Sequence, residues 1–245
     1  MPCNMRTIIQ SKDIKRVYIM DDFFYHYFPN VIDMKMEILQ STFDTLYMTF
    51  FSGLVGGFFG IVLALLLVAT QPNGVLAQPK IYAALDKLIN LFRAIPFVIL
   101  LSLLTPFTRQ IVGKTIGLDA ALVPLIIGFA PFFARQIQNA LLEVDEGIIE
   151  AAKAMGSSPY EIFVHVYLKE GLPAIIRASA VSIISLIGLT TMAGAVGAGG
   201  LGTLAVKKGH EGFKDDISIV CTLIILVLVF FTQWVCNVLI KKVSH

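Results

Sequence analysis

Charged residues are scarce in this sequence. Only 15% of its 245 residues are Asp, Glu, Lys or Arg while 56% are hydrophobic, whereas soluble domains carry about 25% charge. That balance excludes a water-soluble globule and implies an integral membrane protein of one domain. Cysteine is nearly absent. Cys3, Cys221 and Cys236 share no metal-ligand spacing, and two fall in one apolar segment, so neither a disulfide framework nor a zinc site is implied. His26, His165, His210 and His245 are scattered, and no metal site is expected. A net charge of +2 gives no reason to expect a nucleic-acid partner. The first residues lack the uninterrupted apolar core of a signal peptide. No catalytic constellation stands out, and no catalytic residue is assigned.

Two glycine strings imitate nucleotide-binding motifs and fail on context. Gly113-Lys114-Thr115 matches the tail of a phosphate-binding loop, but Thr108 occupies the position of the required first glycine and no strand precedes it. Gly197, Gly199 and Gly202 fit a dinucleotide fingerprint, yet they follow an apolar span. Nucleotide binding by this chain is therefore not expected.

What the chain does have is apolar runs long enough to cross a bilayer, where about 20 residues suffice. Five spans are predicted, at about 46–70, 82–104, 120–142, 172–195 and 217–240, making an all-α integral membrane protein. The first holds 25 residues without a charge and two overlapping GxxxG pairs, Gly53/Gly57 and Gly56/Gly60. Such a stripe reads equally as a close-packing seam or as glycine tolerated in a membrane helix. The second carries Lys87, Arg93 and Pro96; Arg93 is expected to reach the nearer interface or the protein interior, and Pro96 to kink the helix. The third carries Pro124, Gly128 and Pro131. The fourth carries Ser179, Ser182, Ser185, Thr190 and Thr191, hydroxyls that serve packing or a wet path. It runs into Gly194–Gly202, where tight turns or an unwound segment are expected. Trp234, Lys241 and Lys242 close the last.

Residues 1–36 mix Lys12, Asp13, Lys15, Arg16, Asp21 and Asp22 with aromatic side chains. They are too polar for a span. Two readings stand: a weakly structured N-terminal extension, or a chain whose true start is Met34 or Met36, with the membrane domain at 37–245 in either case.

Between spans three and four lies the most informative stretch, from Glu143 to Pro173. From Asp145 to Met155 the residues Ile148, Ile149, Ala152 and Met155 recur at helical spacing. Gly156 follows where a helix end favours a left-handed residue. Ser158-Pro159-Tyr160-Glu161 then reads as a new helix start, with Ser158 as N-cap, Pro159 in the first turn and Glu161 closing a capping box. Ile162, Phe163, Val166 and Tyr167 give the second helix its apolar face. Two short helices and one corner are predicted.

The string Glu150-Ala151-Ala152, with Gly156 six residues after Glu150 and then Val166 and Leu168, resembles the EAA motif of ATP-binding-cassette importer permeases. Phe92–Phe97 resembles a stretch of amino-acid importer permeases, and the glycine-rich end of span four resembles that of methionine importer permeases. One departure is plain: the family pattern ends in Leu-Pro, whereas Leu168 is followed by Lys169 and Leu172-Pro173 comes four residues later. The second corner is thus open to being a continuous helix.

The resemblance, covering about Glu37 to Lys242, implies a multi-pass subunit of a bacterial inner or plasma membrane that imports methionine, D or L. The 145–168 loop would be cytoplasmic and would dock on a separate ATPase. It implies a homodimer with two cytoplasmic ATPase subunits, an extracytoplasmic amino-acid-binding protein and contact with membrane lipid. ATP and Mg would be bound by the partner ATPase, with no cofactor in this chain and no enzymatic activity of its own. Glu150 would orient the loop, Ala151 and Ala152 would pack, and Gly156 would turn. A substrate path is expected where Thr190, Thr191, Met192, Ala193 and Gly194 meet the glycine-rich turn, with the Met192 thioether adapting to another thioether. With the loop inside, Lys80, Lys87, Arg93, Arg135, Lys153, Lys169, Arg177, Lys241 and Lys242 face the cytoplasm, against Arg109, Lys114, Lys207, Lys208 and Lys214 outside. That bias obeys the positive-inside rule; an N-terminal tail with Arg6, Lys12, Lys15, Arg16 and Lys35 abolishes it, and a start at Met34 adds only Lys35. The alternatives are a permease for another small amino acid, an ion-coupled secondary transporter, or a membrane scaffold. Spans one, three and five lack the deep charges that ion coupling requires.

Overall fold

The computed structural model describes residues 27–72 and 74–243, and among these all regular structure is helical. In chain order the helices are α1 (Pro29–Asp33), α2 (Lys35–Thr70), α3 (Pro79–Ala94), α4 (Phe97–Leu103), α5 (Thr105–Val112) and α6 (Leu118–Leu141). There follow α7 (Glu146–Ala154), α8 (Pro159–Glu161), α9 (Leu168–Glu170), α10 (Leu172–Ala195), α11 (Gly200–Thr203) and α12 (Asp215–Val243). Wider π turns occupy Ile162–Tyr167 and Leu204–His210. Four helices, α2, α6, α10 and α12, are long and apolar enough to cross a membrane.

The bundle is built on α6. α2 lies parallel to it: Tyr47 donates to Asp119 at 3.3 Å near one end, and further along Gly56 and Gly60 back onto Phe129 and Phe133. A Cβ at Gly60 would sit 2.8 Å from Phe133 Cδ1 and 3.0 Å from the Ala130 carbonyl; one at Gly56 would sit 3.0 Å from Phe129 Cδ1. The glycine stripe is therefore a packing seam. In lipid, where apolar burial does not by itself draw helices together, such close approach is what supplies the dispersion contact. The stacked rings of Phe129 and Phe133, 5.4 Å apart, fill the notch that the glycines leave.

α2 starts eleven residues before the expected span. At ~1.5 Å per residue it measures about 54 Å, well beyond the ~30 Å hydrocarbon core. Its first turns carry Glu37, Gln40 and Asp44, which belong in water. α1 is tied to the far end of the chain, since the Asn30 backbone N–H and side-chain amide donate to Asp216 at 3.0 and 3.1 Å. The expected division at 36/37 thus falls inside α2, preceded by an anchored turn of helix; residues 1–26, the bulk of the predicted extension, lie outside the described residues.

The predicted second span is not one helix. α3 ends at Ala94, Ile95 is extended (φ −76, ψ 122), and α4 restarts after Pro96. Proline disfavours the helical conformation at the preceding residue and lacks an N–H; α6 absorbs Pro124 and Pro131 within its length, but at Pro96 the expected kink is a full break. The broken segment still runs the length of α6, antiparallel to it. Asp86 meets Arg135, Leu100 and Phe97 meet Gly128, and Thr105 and Thr108 share a cleft with Ala120 and Ala121. α10 also runs antiparallel to α6, Gly171 at its start lying beside Leu141 at the end of α6 and Val144 just beyond it, and α12 packs alongside α10.

Candidate functional site

At the end of the bundle where α6 stops, Asp145 caps α7, its carboxylate accepting from the Gly147 and Ile148 N–H groups at 2.8 and 3.3 Å. α7 closes in a Schellman motif: Ser157 N–H donates to the Ala152 carbonyl (3.1 Å) and Gly156 N–H to that of Lys153 (3.0 Å). Gly156 has φ +82, the left-handed geometry that this motif requires. One residue on, Ser158 and Glu161 form the predicted capping box. Ser158 N–H donates to Glu161 Oε2 at 2.7 Å and Glu161 N–H to Ser158 Oγ at 3.4 Å. The Ser158 N–H bond above all, and a second from the Ser158 hydroxyl to the same oxygen at 2.9 Å, hold the Glu161 carboxyl below its ordinary pKa. The corner is thus fixed on both sides by paired backbone groups.

The second junction has no corner. Gly171 keeps a right-handed conformation (φ −77, ψ −6) and its N–H donates to the Tyr167 carbonyl at 3.0 Å. The helix runs almost unbroken from Pro159 into α10, as the displaced Leu-Pro of the sequence allows. Tyr167 is buried, stacks on Phe163 at 5.2 Å, and is pushed above its ordinary pKa chiefly by burial.

The single apolar stripe expected on α7 is two faces. Ile149 and Ala152 are buried against the bundle, whereas Ile148 and Met155 are exposed, Met155 by 80%. Recurrence at helical spacing does not say which side the chain itself will cover. Glu150, Ala151 and Gly156 are exposed, Val166 is half-buried, and Leu168 is 38% exposed. Ala152 therefore packs within its own chain, leaving Ala151 as the alanine open to another backbone. Ile162 and Tyr167 likewise turn inward, so the second stripe is consumed by the bundle. The free surface is made by Ile148, Ala151, Met155 and Tyr160, the last 74% exposed.

Behind the loop sits a polar cluster that sequence reading did not assemble. Arg135 Nη2 donates to Asp86 Oδ1 and, at 3.1 Å, to Asn90 Oδ1, and its Nη1 donates to Gln138 Oε1 at 2.7 Å. The Arg135 side chain is 15% exposed and that of Asp86 30%. This cluster ties the broken helix to α6 close to the loop. Its signal was a lone arginine late in span three and a lone aspartate early in span two. Arg177 and Glu143 add an exposed pair at 3.4 Å across the loop's base.

Clefts follow the broken segment. The inner, about 590 Å³, is lined by Arg93, Pro96 and Phe97 on one side and by Ser185, Leu189 and Met192 on the other. Met192 is half exposed there. Arg93, expected at an interface or in the interior, shares this cleft and has no carboxylate within ion-pair reach among the described residues. Thr190 is buried and donates to the Ile187 carbonyl at 2.7 Å. Gly194 backs onto α11, where a Cβ would meet Thr203 N at 2.6 Å. The chain brings Met192 to open space and uses Thr190 and Gly194 for packing. The serines of α10 also bond backward to carbonyls of their own helix.

The glycine-rich string is a turn, with positive φ at Gly197, Gly199 and Gly200. Thr45 locks it, accepting from Leu201 N–H at 2.9 Å. Gly113, the apparent phosphate-loop glycine, is only the left-handed end of α5. Among the described residues no group of His, Cys, Asp and Glu could hold a metal ion.

Residues 56–245 match the family described as binding-protein-dependent transport system inner membrane component. A protein of Yersinia pestis named D-methionine transport system permease protein MetI is 46% identical over 150 residues, 61% of this chain and 69% of that one. A probable D-methionine transport system permease protein MetI of Vibrio cholerae is 39% identical over 208 residues, 85% and 92% of the two chains. Among solved structures, one described as inward-facing conformations of the MetNI methionine ABC transporter superimposes with a TM-score of 0.85 at 40% identity. It covers 87% of this chain and 99% of that one. An amino acid ABC transporter with histidines, 18% identical with a TM-score of 0.73, shares the fold.

Proposed function

This chain belongs to the family of binding-protein-dependent transport system inner membrane components, and from that premise we propose that it is the permease subunit of an ATP-driven importer of methionine. The observation that carries the reading is the loop at the end of α6: a corner rigidly capped on both sides, presenting an apolar face that its own chain leaves uncovered. A surface of this kind transmits force only when gripped. Ile148, Ala151 and Met155 stand at helical spacing for a groove on a second protein, the separate ATPase that binds ATP and Mg. Glu150, Gly156, Val166 and Leu168 frame that contact, and Ala152 holds α7 to the bundle. The permease itself carries out no hydrolysis.

Five crossings of a bacterial inner membrane follow, the second made by the discontinuous segment 79–112, with the loop in the cytoplasm. Residues 37–245 form the transporting domain. Two copies pair about a shared axis, two ATPase subunits lie beneath them, and an extracytoplasmic binding protein delivers substrate. Closure of the ATPases shifts α7, and the Arg135 cluster passes the displacement to the broken helix. Unwound backbone at membrane depth is tolerated where it lines a cavity, and Ile95-Pro96 lines the inner cleft. There Arg93 suits a carboxylate and Met192 a thioether side chain.

Uptake by the permease reconstituted with its ATPase and binding protein is the test. Excess unlabelled methionine should suppress labelled methionine uptake more than glutamine, histidine or arginine does. Met192→Trp should block passage while leaving the complex assembled. Failure of methionine to compete or to be transported refutes the substrate, and failure to copurify with an ATPase refutes the import reading as a whole.

A further inference from the structure

A smaller cleft, about 300 Å³, lies at the opposite end of the broken helix from the loop, between α4, α5 and the start of α6 and closed by the glycine-rich turn. Thr108 lines it, and the residue is only 3% exposed. The Thr108 hydroxyl is buried without a hydrogen-bond partner among the described residues. This is unusual in this protein, where hydroxyls on the helices almost all donate to a carbonyl one turn back. Its neighbours do so: Ser102 donates to the Val98 carbonyl and Thr105 to that of Leu101, at 3.4 and 3.0 Å. Those two hydroxyls therefore offer the cleft only lone pairs. Ala120 adds a carbonyl that helix geometry leaves open, because the residue one turn on is Pro124, which has no N–H.

The interior of this cleft thus offers several acceptors and one unspent donor, the Thr108 hydroxyl, with no carboxylate among its lining residues. At its rim the Lys207 ammonium lies against Gly197, near enough that a Cβ there would be 3.4 Å from it. Lys207 has no carboxylate within ion-pair distance among the described residues. Acceptors inside, a cation at the rim and apolar walls between them match one chemical class: an α-amino acid with an uncharged, apolar side chain. A buried polar group left unpaired is destabilising, so such a hydroxyl is retained against stability unless something meets it. We propose that this cleft is an outer amino-acid subsite, with the Ser102 and Thr105 lone pairs and the Ala120 carbonyl receiving the ammonium, and the Thr108 hydroxyl donating to the carboxylate together with Lys207. The proposal rests on the import reading and adds a second station, beyond the Arg93–Met192 cleft, for the same substrate.

The experiment is saturation binding of tritiated L-methionine to the purified permease–ATPase complex carrying Met192→Trp, which obstructs the inner cleft beside Arg93. Binding should persist in that background. Adding Thr108→Val, which keeps the shape and deletes the hydroxyl, should weaken it about tenfold, as expected for a hydrogen bond to a charged group. Thr108→Ser should bind within about twofold of the parent, by the same estimate. Lys207→Gln should weaken methionine but leave its methyl ester unaffected. Complete loss of binding in Met192→Trp, binding indifferent to Thr108→Val, or equal losses in Thr108→Val and Thr108→Ser would each overturn the subsite. Uptake by the native complex is measured in parallel. Uptake without Thr108-dependent binding defeats the subsite alone, and absent uptake defeats the import reading.

Discussion

Replacing Gly60 by alanine tests the seam between α2 and α6, and Gly57 on the same helix supplies the control. Both substitutions add one methyl group and both raise helix propensity by ~1 kcal/mol. They differ in what the methyl meets. At Gly57 the nearest atom is Phe133 Cε1 at 3.6 Å, an ordinary contact, whereas at Gly60 it is Phe133 Cδ1 at 2.8 Å with the Ala130 carbonyl oxygen at 3.0 Å. A ring can tilt, but the carbonyl belongs to the backbone of α6, so the two helices must part by several tenths of an ångström. Overpacking of this kind costs about 1–3 kcal/mol. Gly57→Ala should therefore be neutral or stabilising by up to ~1 kcal/mol, and Gly60→Ala destabilising by up to about 2 kcal/mol once the propensity gain is subtracted. In a chain of this size each kcal/mol moves the midpoint by about 2–4 °C, so the two variants should be separated by several degrees. Thermal unfolding of the purified protein in one detergent at one scan rate reads the difference. If Gly60→Ala melts at or above Gly57→Ala, the helices do not meet through the glycines and the parallel packing described here is wrong.

Three further outcomes follow from the loop and its base. Ala151→Trp, an exposed change on the outward face of α7, should leave the permease in the membrane but abolish ATPase capture and uptake, as read by copurification and transport; undiminished capture would place the ATPase elsewhere. Asp86→Ala leaves Arg135 without its carboxylate and should destabilise by up to about 3 kcal/mol, while Asp86→Ala with Arg135→Met should recover much of that in thermal unfolding; a double variant no better than the single denies the pair its role. The depressed Glu161 pKa means that its capping bond stabilises the folded loop above the unfolded carboxyl value and is lost as pH falls through the lower folded value. Limited proteolysis across 156–162 should therefore accelerate on acidification in the native chain but not in Glu161→Gln, which keeps the cap without the titration; identical pH profiles would refute that account.

Sequence alone determined the elements whose causes are local. The paucity of charge and the length of the apolar runs fixed the membrane class. Ser158 and Glu161 stand three residues apart and Gly156 follows the last helical turn, so the corner between α7 and α8 was legible from neighbours along the chain. The displaced Leu172-Pro173 likewise left open the continuous helix that Gly171 permits. The family was legible from Glu150-Ala151-Ala152 and Gly156 together, because that motif keeps its chemistry in one short string.

Tertiary structure decided what depends on partners distant in sequence. Hydropathy sees residues 82–104 as one run, yet the Ile95-Pro96 break survives as a break because α6 runs beside both halves and Arg135 holds the first one through Asp86. Periodicity gave Ile148, Ile149, Ala152 and Met155 as one stripe, and only the packed bundle distinguishes the pair it buries from the pair it leaves exposed. Arg93 and Met192 lie on separate spans and became one cleft, while Thr190 and Gly194, adjacent to Met192 in sequence, turned into the packing. The physical reason is the same in each case. A residue's type and its neighbours set the local backbone, but which face is covered depends on long-range contacts that no local pattern encodes.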